Sequence, residues 1–305
     1  MIDEKTVKQI INYLNDYSEV DNKPFTILPP SKGEKNKLRI YAEGGLFAKI
    51  RIEGDAKSEN DLELLSSGYS KYAGSDADSF LAYIEKAEKD TNSAISVILD
   101  RKFIDIALKC LKKKWKKKAG TPKEKDVQNE IVKNYMMNNS KWKVISQEAQ
   151  FKGNDFKGGE FSSTTSEKER FDLIVMSDRG IGFIELKVNN ENCDNLNSHY
   201  EHMQYVKKNP KVFLEDVKRR FEIIEKYGLW PQEEMKLFST EKIWFGFLFI
   251  KGGKDRCKTI IENKLSDKLL DDKETMLLYY DGEISELDIN KMVPYDEFIL
   301  QLKEG

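Results

Sequence analysis

Asp172, Glu185 and Lys187 interrupt two otherwise apolar runs, residues 171–176 and 181–188, on either side of a short polar segment that ends in Gly180. Runs of this kind joined by a short glycine-containing loop predict a β-hairpin. Side chains alternate faces along a strand, so Glu185 and Lys187 share a face with Phe183, while Ile184, Leu186 and Val188 fill the other. A buried carboxylate or ammonium is costly unless it is paired or holds a metal. Two carboxylates on adjacent strands suit magnesium, a hard cation that takes oxygen ligands and retains several waters. An ion held there polarises a phosphate oxygen and lowers the pKa of a bound water, and a partly desolvated Lys187 can stabilise or help form the attacking hydroxide. The competing reading is a solvated edge hairpin on which Glu185 and Lys187 neutralise each other at little energetic gain.

Such a hairpin needs elements before and after it. Thr121-Pro122-Lys123-Glu124 is a strong helix start, with Thr121 as N-cap, Pro122 at the first helical position and Glu124 closing a capping box. That helix is expected to run to about Asn138, with Val127, Ile131, Tyr135 and Met136 apolar and Glu130 beside the stripe. Residues 142–151 read as a strand, and the Gly-, Ser- and Thr-rich stretch 152–168 as a long loop. After the hairpin come a polar loop (189–197), a helix over about 196–208 that carries His202 and Gln204, and a second helix from Pro210 to about Tyr227. Lys218-Arg219-Arg220 on that second helix read as a solvated basic patch. Residues 243–250 contain no charge and predict a buried central strand. Residues 275–280 predict another strand, and 295–303 a closing helix.

With those elements in place, the stretch 121–250 resembles the PD-(D/E)XK phosphodiesterase superfamily, the restriction-endonuclease-like nucleases. Their α-β-β-β-α-β core carries an Asp on the second strand and (D/E)-x-K on the third. Here Asp172 stands on the second, and Glu185-Leu186-Lys187 on the third. An acidic residue on the first core helix matches Glu130, and a Gln on the helix after the third strand matches Gln204. The resemblance implies an α/β fold with a mixed sheet flanked by helices. It implies catalytic roles for Asp172, Glu185, Lys187, Gln204 and Glu130, with Mg2+ on Asp172, Glu185 and Glu130 and Mn2+ as a substitute. It further implies phosphodiester hydrolysis, on DNA in preference to RNA, in restriction, defence or repair, with a homodimer by analogy. A non-catalytic binding module on the same scaffold is the rival expectation.

Residues 1–119 form a separate α+β domain in this reading, with the nuclease-like domain spanning 120–305. Residues 2–17 have apolar positions at helical spacing, and helices are expected over 75–89 and over about 91–114, capped by Ser75 or Asp76 and by Thr91. Residues 38–53 read as a hairpin turning at Gly44-Gly45. Its polar face would display Arg39, Tyr41, Phe47, Lys49 and Arg51, basic groups interleaved with aromatics that suit a phosphate backbone, or else an ordinary solvated face. The run Lys112–Lys118 surrounds Trp115 with six lysines at a helix C-terminus. Lys113 and Lys117 are its candidate nucleic-acid contacts, and a solvated helix end is the alternative. No strand followed by G-x-G-x-x-G supports a nucleotide-sensing domain.

Composition narrows the classes further. Charged residues are 34% of the chain, and no stretch nears the roughly 18 apolar residues of a membrane span. The first residues, M-I-D-E-K-T-V-K, lack the pattern of a secretory signal. Cys110, Cys193 and Cys257 are widely spaced and odd in number, so a disulfide framework, zinc ribbon or iron–sulfur centre is not expected and a reducing cytoplasm is. Two histidines, His199 and His202, leave little supply for His-based triads or metal sites. Residues 1–120 hold 22 Lys and Arg against 19 Asp and Glu, and the rest 29 against 34. Neither half is basic enough for charge alone to name a partner.

Overall fold

A computed structural model describes residues 2–21, 25–30, 36–54, 60–116, 127, 128, 131, 142–151, 169–177, 180–188, 200, 203, 204, 206–208, 210–230, 235, 236, 242–250 and 275–280. The chain is mixed α/β and divides into two compact units. One holds Met1–Pro30, Glu34–Gly120 and Phe221–Gln232, and the other Ser31–Gly33, Thr121–Arg220 and Glu233–Gly305. Among the described residues no helix is long and apolar enough to cross a membrane.

In the first unit, α1 (Glu4–Asp21) precedes the antiparallel strands β1 (Phe25–Leu28), β2 (Lys37–Ala42), β3 (Gly45–Arg51) and β4 (Leu62–Leu64), in that order across the sheet. Val7, Ile10, Ile11 and Leu14 recur at three- and four-residue intervals and are fully buried, the stripe that makes α1 a core helix. Each such side chain contributes about 1.5–3 kcal/mol by leaving water. Asp3 caps α1: its carboxylate accepts from the Thr6 N–H (2.9 Å) and hydroxyl (2.7 Å), which holds its pKa below the ordinary range.

Two 3-10 segments (Ser67–Tyr72 and Gly74–Asp76) lead into α2 (Ala77–Ala87), α3 (Thr91–Ile98) and α4 (Arg101–Lys116). The single helix expected over 91–114 is therefore two. Asp100 interrupts it, its carboxylate accepting from the Lys102 N–H at 2.9 Å and its carbonyl from the Ile104 N–H at 3.1 Å, a new helix start. The cap of α3 is Asp90 and not Thr91, since the Asp90 carboxylate accepts from the Ser93 N–H at 2.8 Å. Asp76 holds the N-cap position of α2 without a side-chain capping bond.

The 38–53 hairpin turns one residue earlier than the Gly-Gly pair suggested. Glu43 and Gly44 take the positive φ values, 49° and 72°, the requirement of a two-residue hairpin turn. Gly45 is instead strand, and a Cβ there would meet the Leu111 side chain at 2.6 Å. A register shift between Ile40 and Tyr41 then puts Phe47 in the core, fully buried against Phe25 and Phe103. The expected display of aromatics among basic groups is thereby broken. Arg39 and Arg51 are buried, with the Arg51 guanidinium 3.4 Å from Asp61, and Lys37 is paired with Glu63 from β4.

The second unit contains a five-stranded mixed sheet. Strands β5 (Trp142–Phe151), β6 (Glu169–Ser177) and β7 (Gly180–Val188) are antiparallel, and β8 (Ile243–Ile250) and β9 (Thr275–Tyr280) continue parallel to β7. Helix α5 (Pro210–Tyr227) starts in this unit, and its last turns, from Phe221, count with the first. Val127, Gln128 and Ile131 are helical, as are Met203, Gln204 and 206–208. Glu130, Lys117, the stretch 152–168 and the closing helix expected over 295–303 lie outside the described residues.

Candidate functional site

The β6–β7 hairpin is closed at one end and polar at the other. At the closed end, Gly180 has φ 106°, and a Cβ there would meet the Lys242 carbonyl oxygen at 2.2 Å. Gly182 leaves room for the Trp244 ring, and the indole N–H donates to the Ser177 hydroxyl and the Gly180 carbonyl, both at 3.3 Å. These contacts fix the register Met176–Ile181, Ile174–Phe183 and Leu173–Ile184. The paired register ends at Leu173–Ile184, just short of Asp172 and Glu185. There the Leu186 N–H donates to a side chain, Asp172 Oδ2, at 2.7 Å.

The three charged residues are all buried: Asp172 is 7% exposed, Glu185 5% and Lys187 2%. Residues 171–177 and 181–187 are buried throughout, and the hairpin strands are second and third of five. A solvated edge hairpin is therefore ruled out. Phe183 packs between Phe213 of α5 and Phe245 of β8, with Phe171 edge-on at 5.0 Å, so an aromatic wall adjoins the charges. In such surroundings an ionised group must find partners. Lys187 Nζ donates to Glu185 Oε1 at 2.9 Å, and Gln128 Nε2 donates to Asp172 Oδ1 at 2.8 Å. Gln147 Nε2, on β5, donates in turn to Gln128 Oε1 at 3.4 Å. The result is two sets of bonds: Lys187 with Glu185 on β7, and Asp172 held by the Leu186 N–H and by a Gln147–Gln128 chain from β5 and a helix.

Among the residues singled out from sequence, Asp172, Glu185 and Lys187 are thus brought together. Gln204 is half-buried on its helical stretch, beside the buried Met203. The helix residue that touches Asp172 is Gln128, which the sequence reading passed over. Its one signal was its place beside the Val127–Ile131 stripe, where Glu130 also lies. Gln147 follows a β5 register shift between Val144 and Ser146 that alternation does not reveal. Arg220, read as solvated, is buried, donating to Asp216 at 2.9 Å and to the Ser146 hydroxyl at 3.1 Å. The i,i+4 spacing of Asp216 and Arg220 was the available hint.

The donor set suits a hard cation. Asp172 and Glu185 offer the oxygen donors a hard cation takes, and among the described residues no three or more His, Cys, Asp or Glu side chains cluster. Elsewhere, Cys110 is buried in the first unit, and burial pushes its thiol pKa up, away from nucleophilic reactivity. Compared with known proteins, the chain matches no family model, no curated protein and no solved structure.

Proposed function

We propose that the second unit is a divalent-metal-dependent nuclease with a restriction-endonuclease-like core, hydrolysing phosphodiester bonds of DNA in preference to RNA. The observation that carries this reading is the burial of Asp172, Glu185 and Lys187 together on adjacent interior strands. Taking such charges out of water is costly enough that a structural role alone would favour apolar residues there. Asp172 and Glu185 are the residues to hold Mg2+ or Mn2+, with Glu130 as a further ligand. The ion, when bound, supplies Lewis-acid polarisation of the phosphate and a more acidic water.

The remaining work falls to the chain. The Leu186 N–H and Gln128 hold the Asp172 carboxylate in one orientation, so it needs no reordering when substrate arrives. Lys187, held by Glu185 and screened from water, presents an ammonium that stabilises negative charge on an attacking hydroxide or a phosphate oxygen. Gln204 orients the phosphate or the water without adding charge that would repel an anion. A homodimer cutting both strands, a place in the cytoplasm and a role in defence, restriction or repair accompany this reading by analogy.

One observation favours a second reading, a non-catalytic nucleic-acid- or protein-binding scaffold. Both Asp172 oxygens already accept hydrogen bonds from the protein. The two readings separate in one assay. Full-length protein is incubated with plasmid and linear DNA with Mg2+, with Mn2+ and with EDTA, alongside Asp172→Ala and Lys187→Ala. Metal-dependent cleavage lost in both variants supports the nuclease. Equal cleavage by wild type and both variants, or none by any, leaves the scaffold reading.

A further inference from the structure

We infer that the first unit carries its own DNA-backbone contact, built from the lysines of the α4 C-terminal half and of the 3-10 segment Ser67–Tyr72. The lysines gather in one place. Lys114 Nζ lies over the Tyr69 ring at 4.2 Å and donates to its hydroxyl at 2.7 Å. Tyr69 meets Tyr72 edge-on at 6.2 Å, and Lys71 Nζ stands 5.3 Å over the Tyr72 ring. One turn along α4, Lys113 Nζ lies against the Gly74 backbone, 3.3 Å from where a Cβ would be, and Lys109 Nζ reaches Asp76 at 3.5 Å. Lys112 shares the exposed face with Lys109 and Lys113, as its helical spacing requires.

Five lysines thus share a patch in which, among the described residues, the carboxylate bonded to them is Asp76. Elsewhere on the same unit, exposed lysines sit beside acids, as Lys8 does with Glu4 at 2.7 Å. The negative end of the α4 dipole accounts for one or two basic groups there. It does not account for a convergence that brings Lys71 in from a separate segment. Lys71, Lys112 and Lys113 are exposed, while the tyrosines hold Lys71 and Lys114 in place through their rings. Ammonium groups on a short arc, mostly unmatched by acid, suit a polyanion with regularly spaced charges, the phosphodiester backbone, and read it without regard to sequence.

The choice of DNA among polyanions rests on the nuclease reading of the second unit; the patch itself does not. The test is equilibrium binding of a labelled duplex to full-length protein in EDTA, where cleavage cannot contribute, over a salt series. Lys71→Glu/Lys112→Glu/Lys113→Glu is compared with Lys5→Glu/Lys86→Glu/Lys89→Glu, which makes the same change of net charge at exposed lysines outside the patch. The patch variant should bind at least about tenfold more weakly, and its log K against log salt slope should flatten by about 2–3, one phosphate per lysine lost. The other variant should keep the wild-type slope. Equal losses in the two variants, or no binding by wild type, overturn the inference. Binding that depends on the patch in a protein that never cleaves would sink the nuclease reading and leave the patch standing.

Discussion

Both units contain an antiparallel hairpin with buried charge, and the two hairpins differ in how that charge is balanced. On β2–β3 the cations meet carboxylates of β4 and of the residue before it: Lys37 pairs with Glu63, and Arg51 lies 3.4 Å from Asp61. On β6–β7 the ammonium of Lys187 bonds Glu185, and Asp172 is held by neutral donors, Gln128 and a backbone N–H. Charge on a buried strand is thus no signal of chemistry by itself. Charges that bond to one another are explained by folding, whereas two buried carboxylates on adjacent strands suit, on the proposed function, a dication.

The largest effect should fall on the β6–β7 hairpin. Asp172→Asn and Glu185→Gln keep shape but remove a charge and replace one acceptor oxygen by a donor, so metal-dependent cleavage should drop on the order of a thousandfold, the several kcal/mol of charge stabilisation at stake. Their folded stability should fall by about 1–3 kcal/mol, because the amide turns a donor toward the Gln128 or Leu186 N–H in the first and breaks the ion pair with Lys187 in the second. Metal addition should raise the melting temperature of the wild type and leave both variants unmoved. A thermal shift series with and without Mg2+ reads this independently of activity. Equal metal responses in all three proteins would erase the distinction between the hairpins.

The β2–β3 hairpin should respond in stability and not in cleavage. Arg51→Ala leaves the mostly buried Asp61 without its cation and should cost about 3 kcal/mol of stability by urea unfolding. Adding Asp61→Asn should recover much of it. Cleavage per folded molecule should be unchanged in both, and a selective loss of cleavage would place Arg51 in the substrate path. A smaller effect is expected at Gln128→Leu, which removes the donor to Asp172 Oδ1 while keeping size. A second-sphere partner of this kind is worth about 10–100-fold in metal affinity or activity. The shortfall should shrink at saturating Mn2+ if Gln128 acts by orienting the ligand.

What the sequence disclosed follows from which regularities survive folding. Strands β6, β7 and β8 were legible because unbroken apolar runs leave few alternatives to a buried sheet, and the three charges stood out against them. The face of β3 was misread because alternation presumes a continuous ladder. The shift at Ile40–Tyr41 sends Phe47 inward, and no residue type there announces it. The division of α3 from α4 was written in the sequence as Asp100, a strong capping type set among apolar positions, but helical periodicity on either side concealed it. Gln128 was not separable from Glu130, because both flank one apolar stripe and only the register of the helix against β6 chooses between them. Arg220 was hidden inside a basic run whose other members, Lys218 and Arg219, are exposed.

The mildest test of the contrast lies in the carboxylates of the first unit that serve folding alone. Asp90 accepts from the Ser93 N–H at 2.8 Å and from its hydroxyl at 2.9 Å, and these bonds to the charged form lower its pKa from the ordinary 3.8. A carboxyl whose folded pKa is depressed binds fewer protons folded than unfolded, so its contribution is complete above pH 3.8 and fades as pH falls through the lower folded value. Asp90→Ala should therefore be less stable than wild type at neutral pH, and the gap should close in acid below 3.8. Urea unfolding across an acid series measures the gap directly. Mg2+ should not alter it, because this carboxylate already has its partners. A gap that widened in acid, or that Mg2+ changed, would mean that carboxylates of the first unit also depend on something beyond the fold.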